Sequence, residues 1–379
     1  MKTLLHQLYD FGQSPWLDYI SRLIINKGHL QRMINQGVVG VTSNPTIFEK
    51  AIHTGHDYDS DIQKFVQMGE SKEEIYEKLA VQDVRDACDL FLPVYNQSNS
   101  KDGYVSLEVN PHLAYDTEKT IQEAEELFQA VNHPNLMIKV PATEKGFPAI
   151  EALLSHGINV NITLIFSLEQ YIKSASSYLK GIEKAMDSGK DLHNISSVAS
   201  IFVSRLDSAV DLLLEKMMSQ TESTMQKSEF KSLFGKAAIA NSHLIYQKYA
   251  ELFSSDRFKK LSSKGANLQR VLWASTSTKN PDYSDVKYVH GLIAKNTVNT
   301  MPEDTIEAFL DHGKVEDAIP NDFSQDQAIF SQITDHGIVI DKICQQLLQE
   351  GVEKFIQSFE SLLDSIEQKQ KLFQAEQSS

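Results

Sequence analysis

The chain has 379 residues, 41% apolar and 23% charged, with 36 Lys and Arg against 51 Asp and Glu, a formal net charge of −15. That length buries a large core, as one α/β domain or two smaller ones, and the balance excludes a disordered chain. The acidic surface argues against nucleic acid as the main partner, two distant cysteines exclude a disulfide framework, and no run approaches the ~18 apolar residues of a membrane span.

At the N-terminus, MKTLLHQLYDFGQ is interrupted by His6, Gln7 and Asp10 and lacks a secretory apolar region, so a cytoplasmic setting is expected. The first short apolar runs are 15–18 and 38–44. Residues 56–97 are too long for a simple crossover and predict an inserted pair or trio of helices. A strand run over 104–109 follows. Next comes a helix over 117–131, N-capped by Asp116 with Glu118 in its first turn. Strand runs at 136–140 and 158–165 precede a helix over 167–187. The run 196–203 leads into a helix over 204–218, with Leu206, Val210, Leu213 and Leu214 on one face. A helix over 235–253, strand runs at 270–275 and 296–301, and a helix over 340–367 complete the pattern, with fraying expected from about Gln368. Eight strand runs alternating with helices predict an α/β fold, a (β/α)8 TIM barrel with additional helices. No GxGxxG follows a strand, and no linker divides the chain into two domains.

Successive side chains on a strand point to opposite faces. In Val105-Ser106-Leu107-Glu108-Val109 the apolar set faces the helices, leaving Ser106 and Glu108 inward. The same count turns Met137 and Lys139, Asn161 and Thr163, and Thr42 and Asn44 inward, and adds Asp18, Ser200 and Ser275. Polar side chains at the C-terminal ends of barrel strands are where such folds keep their chemistry. Lys139, between Ile138 and Val140, is the most informative. A bland reading pairs it with Glu108 or Asp18 as a buried salt bridge. The chemical reading starts from the general effect of burial, which frees a lysine amine to attack a carbonyl and form a Schiff base. Asp18 and Glu108 then suit the proton transfers. Asn44, Asn161, Ser200 and Thr163 suit the hydroxyls of a polyhydroxylated ligand, or else internal hydrogen bonds of the barrel.

These residues sit in segments that resemble the transaldolase family, in its longer bacterial type. The segments are QSPWLD at 13–18, GVTSNPTIFEKAI at 40–52, SLEVNPHLAYDT at 106–117, LMIKVPAT at 136–143 and NVNITLIFS at 159–167. SIFVSRLD at 200–207, WASTSTKNPDYSD at 273–285 and NTVNTMP at 296–302 follow in order. The resemblance implies a metal-free barrel enzyme of the non-oxidative pentose phosphate pathway, with no cofactor. Such an enzyme moves a dihydroxyacetone unit from sedoheptulose 7-phosphate to glyceraldehyde 3-phosphate, giving erythrose 4-phosphate and fructose 6-phosphate. It makes Lys139 the Schiff-base lysine and Asp18 the residue that takes and returns the hydroxyl proton beside the broken bond. Glu108 becomes an acid/base acting through a water that Thr163 helps to position. Asn44, Asn161 and Ser200 match hydroxyl contacts, and Phe202 matches an aromatic pocket wall. Arg205 matches the phosphate-binding arginine, where a guanidinium can grip phosphate bidentately, and Ser275 matches a second phosphate contact. The chain departs from the shorter transaldolases at Ser277, where they carry a second arginine. Lys279 is inferred to supply that missing charge.

Other signals are weaker. His53 and His56 form an HxxH in a Gly-containing loop, read as a solvated turn. The run from Glu118 to Glu126 reads as a solvated helix face. Cys88 and Cys344 read as packing residues. Two neighbouring possibilities remain at this stage: an aldolase that releases dihydroxyacetone, and a non-catalytic sugar-phosphate sensor on the same scaffold. A monomer and a homodimer are equally compatible with the sequence.

Overall fold

A computed structural model describes residues 2–377. Seven strands form one parallel sheet: β1 (Gln13–Leu17), β2 (Val105–Glu108), β3 (Leu136–Pro141), β4 (Val160–Ile165), β5 (Ser197–Phe202), β6 (Arg270–Ala274) and β7 (Thr297–Met301). Their spatial order is β1-β7-β6-β5-β4-β3-β2. Every residue of these strands is buried, as expected for a parallel sheet covered by crossover helices.

The expected strand at 38–44 is the exception. Only Val41 bridges, to Leu17 on one side and Val105 on the other. The backbone still bonds both sheet edges: Leu17 N donates to Gly40 O, Val41 N to Tyr104 O and Ser106 N to Val41 O, at 2.9, 2.9 and 3.0 Å. Two local features cut the strand short. Gly40 lies so close to Trp16 that a Cβ there would fall 2.5 Å from the indole Cε2. Then Asn44 leaves the ladder to N-cap the helix Pro45–Thr54, its side chain accepting from Ile47 N at 3.1 Å, with Pro45 at the helix start.

The helix Thr117–Val131 starts at the expected Asp116 cap. Leu206, Val210 and Leu214 are buried on the helix Ser204–Gln220, but Leu213 is 37% exposed and leaves that stripe. The helices Asp59–Gln67 and Lys72–Gln97 occupy the region before β2. The last helix runs from Ile340 to Gln377, ten residues beyond the expected 340–367. Its far end is held by tertiary bonds: Lys369 Nζ donates to Gly55 O at 2.9 Å and pairs with Asp59, and Gln370 Nε2 donates to Glu70 O at 3.1 Å. This helix packs on Pro45–Thr54, where Thr46 and Ser358 hydroxyls meet at 2.7 Å. Both cysteines are buried and free. Among the described residues no helix is long and apolar enough to cross a membrane.

Candidate active site

Parallel register builds the first part of the site. Glu108 on β2 pairs with Lys139 on β3, and Lys139 pairs with Asn161 on β4. The three side chains therefore stand in a row across neighbouring strands. Lys139 Nζ lies 3.3 Å from Glu108 Oε2 and donates to the Ser43 carbonyl at 2.9 Å, with the Lys139 and Glu108 side chains 6% and 3% exposed. Both Glu108 oxygens are buried without a well-aligned hydrogen bond, so the contact to Lys139 is an ion pair rather than a fully formed bond.

Further along the row, Asn161 Nδ2 donates to Ser106 Oγ at 3.0 Å while its Oδ1 accepts from Ser200 Oγ at 2.6 Å. This chain of hydroxyl and amide groups orients Asn161. Thr163 follows on the same strand, fully buried, and its hydroxyl has no hydrogen-bond partner among the described residues. The register slips between Ile162 and Ile165, and Leu164 adopts a φ of 61°, a left-handed conformation unusual for a branched side chain. A bulge of this kind re-aims side chains at strand ends, and it sits beside Thr163.

Asp18 follows β1. Thr42 Oγ1 donates to its Oδ1 at 2.8 Å, and Thr42 in turn meets the Thr300 hydroxyl at 2.7 Å. Burial pushes Asp18 above the ordinary carboxylate range, against the opposing pull of Lys139, the Thr42 bond, Arg205 and Lys279. Glu108 is raised for the same first reason; Lys139 opposes the shift and Asp18 adds to it. Both carboxyls are thus more basic than an exposed one, and Lys139 acts electrostatically on each.

Above this buried floor opens a cleft of ≈ 670 Å³, lined among others by Asp18, Asn44, Arg205, Ser277, Lys279 and Lys354. Arg205 leaves the start of its helix next to β5, its guanidinium 5.2 Å from the Phe202 ring centroid. Burial lowers its pKa, while Asp18 and Glu350 raise it. Ser275 is placed differently from its neighbours. It takes a φ of 55° just after β6, and its hydroxyl lies 3.1 Å from that of Ser204. The cleft is lined instead by Ser277, Thr278 and Lys279 of the same loop. That loop is anchored by Tyr283, whose hydroxyl donates to Asp211 at 2.7 Å.

Sequence reasoning passed over several residues here. Ser106 and Thr42 were legible as inward positions but not as the partners of Asn161 and Asp18. Thr300 and the Ser43 carbonyl carried no signal, because their roles come from neighbours distant in the chain. His53 and His56 do not pair with each other: His53 Nδ1 meets Ser365 Oγ at 3.2 Å and His56 meets Asp59 at 2.7 Å. In the run from Glu118 to Glu126, Glu123 is not simply solvated. It accepts from Asn110 N at 2.9 Å, and burial lifts its pKa to about 7.

Comparison with known proteins agrees with the pattern of segments. A family model described as Transaldolase/Fructose-6-phosphate aldolase matches residues 15–366. A protein named Transaldolase from Trichodesmium erythraeum is 47% identical over 368 residues, covering 96% of this chain and 97% of that one. Transaldolase 2 of Nostoc punctiforme is 46% identical over 370 residues, covering 97% of each. A Transaldolase from Saccharopolyspora erythraea is 46% identical over 364 residues, covering 96% of each.

Proposed function

The chain belongs to the transaldolase/fructose-6-phosphate aldolase family, and on that premise we propose how its residues carry out the transfer. The reaction moves a dihydroxyacetone unit from sedoheptulose 7-phosphate to glyceraldehyde 3-phosphate, yielding erythrose 4-phosphate and fructose 6-phosphate. Lys139 Nζ attacks the donor ketone, and the carbinolamine loses water to give a Schiff base. Glu108, through a water held by the Thr163 hydroxyl, supplies and removes the protons of those steps. Asp18 takes the proton of the hydroxyl beside the scissile bond; the aldehyde product leaves and the enamine remains on Lys139. The enamine adds to the acceptor aldehyde, Asp18 returns the proton to the new alkoxide, and hydrolysis frees Lys139. Asn44, Asn161 and Ser200 hold donor hydroxyls, Phe202 walls the pocket, and Arg205 and Lys279 hold phosphate, while Ser275, turned to Ser204, supports that loop from beneath.

The observation that carries this reading is the buried amine of Lys139, 3.3 Å from one buried carboxyl of raised pKa and under the electrostatic pull of a second, Asp18. A structural ion pair would need neither the second carboxyl nor the unpartnered hydroxyl of Thr163. We read residues 38–42 as the eighth stave of a closed (β/α)8 barrel, and the chain as one barrel domain with inserted helices, acting in the cytoplasm on sugar phosphates and not on nucleic acid.

Borohydride reduction with fructose 6-phosphate, followed by mass spectrometry, is expected to fix a three-carbon or six-carbon adduct on Lys139. An unmodified Lys139 would remove the mechanism. A coupled assay with and without glyceraldehyde 3-phosphate then separates transfer from aldol cleavage: efficient cleavage without an acceptor would assign the chain to aldolase chemistry.

A further inference from the structure

We propose that Lys354, on the last helix, is a phosphate-binding residue that completes the anion site begun by Arg205 and Lys279. Three observations lead there. First, Arg205, Lys279 and Lys354 together line two adjoining clefts, of ≈ 670 and ≈ 530 Å³, and so stand on the ridge between them. They come from three separate elements: the helix after β5, the loop after β6, and the helix Ile340–Gln377.

Second, none of the three cations has a hydrogen bond or ion pair among the described residues. Lys279 and Lys354 are exposed and Arg205 is partly buried, whereas the chain pairs its other recessed arginines closely: Arg22 with Asp61 and Asp83 at 2.5 and 2.9 Å, and Arg270 with Asp102 at 3.0 Å. A guanidinium as recessed as Arg205 costs free energy unless something answers its charge. The carboxylates nearby are engaged or recessed. Glu350, which acts on Arg205, accepts from Gln346 at 2.6 Å; Asp285 pairs with His312 at 2.9 Å; Asp18 is raised by burial. Asp304 also lines the larger cleft. A dianionic group meeting three unpaired cations is the missing partner.

Third, the last helix is built to approach. Gly351 lies against Leu164 and Arg205: a Cβ there would sit 2.9 Å from Leu164 Cδ2 and 3.7 Å from Arg205 Nη1. Lys354 and Phe355 follow at helical spacing, and both line the larger cleft, Phe355 buried.

The identity of the ligand as a sugar phosphate rests on the transaldolase reading; the anion site itself does not. Calorimetric titration of the full chain with inorganic phosphate at low salt, on wild type, Lys354→Gln and Lys354→Arg, tests it without turnover. Lys354→Gln should weaken phosphate binding about tenfold, the order of one charge-assisted contact, and Lys354→Arg should restore it. In steady state, Lys354→Gln should raise KM for glyceraldehyde 3-phosphate by a similar factor. At saturating donor its kcat, and its KM for unphosphorylated glyceraldehyde, should not change. Undiminished phosphate affinity, or an equal rise in KM for both acceptors at saturating donor, would overturn the assignment. Failure to trap Lys139 would sink the Schiff-base reading and leave the phosphate titration interpretable.

Discussion

Replacing Lys139 by Met removes the amine and leaves a side chain of similar length. At 3.3 Å, with an effective dielectric of about 20, its attraction to Glu108 is about 5 kcal/mol. Breaking one side of a buried pair typically costs about 3–5 kcal/mol, because the remaining charge is stranded. The stranded group here is a carboxylate 3% exposed, with Asp18 raising its pKa further. It escapes by taking a proton, so the cost depends on pH. A carboxyl whose folded pKa is raised contributes stability that is fully present below its unfolded value. That stability is lost as pH rises through the folded value. Removing the lysine, which lowers the Glu108 pKa, widens that window upward. Urea unfolding across pH should therefore show Lys139→Met losing up to about 1.4 kcal/mol per pH unit relative to wild type above the pH at which Glu108 ionises in the wild type. Adding Glu108→Gln should remove the Glu108 part of the excess slope and leave only the part from Asp18, which Lys139 also holds down in the wild type. If single and double variants share one pH profile, the buried pair does not carry the electrostatics assigned to it.

Asp18→Asn should still give a borohydride-trapped adduct on Lys139, while donor cleavage falls by about 10²–10⁴, measured as single-turnover release of the aldehyde product. Lys279→Ala should raise the apparent KM for phosphorylated sugars; an unchanged value removes that lysine from the phosphate site. Gly351→Ala introduces a contact of 2.9 Å to Leu164 Cδ2. Overpacking of about 1–3 kcal/mol should outweigh the about 1 kcal/mol gained in helix propensity, read as a lower urea midpoint.

The floor of the site was legible because strand parity is a local law. Once Leu136, Ile138 and Val140 are assigned to the helix side, Lys139 has only one direction left, and register does the same for Glu108 and Asn161. Asn44 lines the cleft for a reason other than strand parity: it terminates the segment as a helix cap, a competition between ladder and cap that short polar side chains win. The bulge at Leu164 had no sequence signal, since neither glycine nor asparagine marks it. The continuation of the last helix beyond Gln368 depends on Lys369 reaching Asp59, a contact between segments that no local pattern encodes. Lys354 was invisible for the same reason.

The packing of the last helix on Pro45–Thr54 ties together residues 312 positions apart. During synthesis this has a temporal consequence. The strand bearing Lys139 leaves the ribosome long before Lys354 does, and contacts of such large sequence separation form late. On the roles proposed for Lys139 and Lys354, the strand carrying the amine is therefore available to fold before the wall that would grip phosphate.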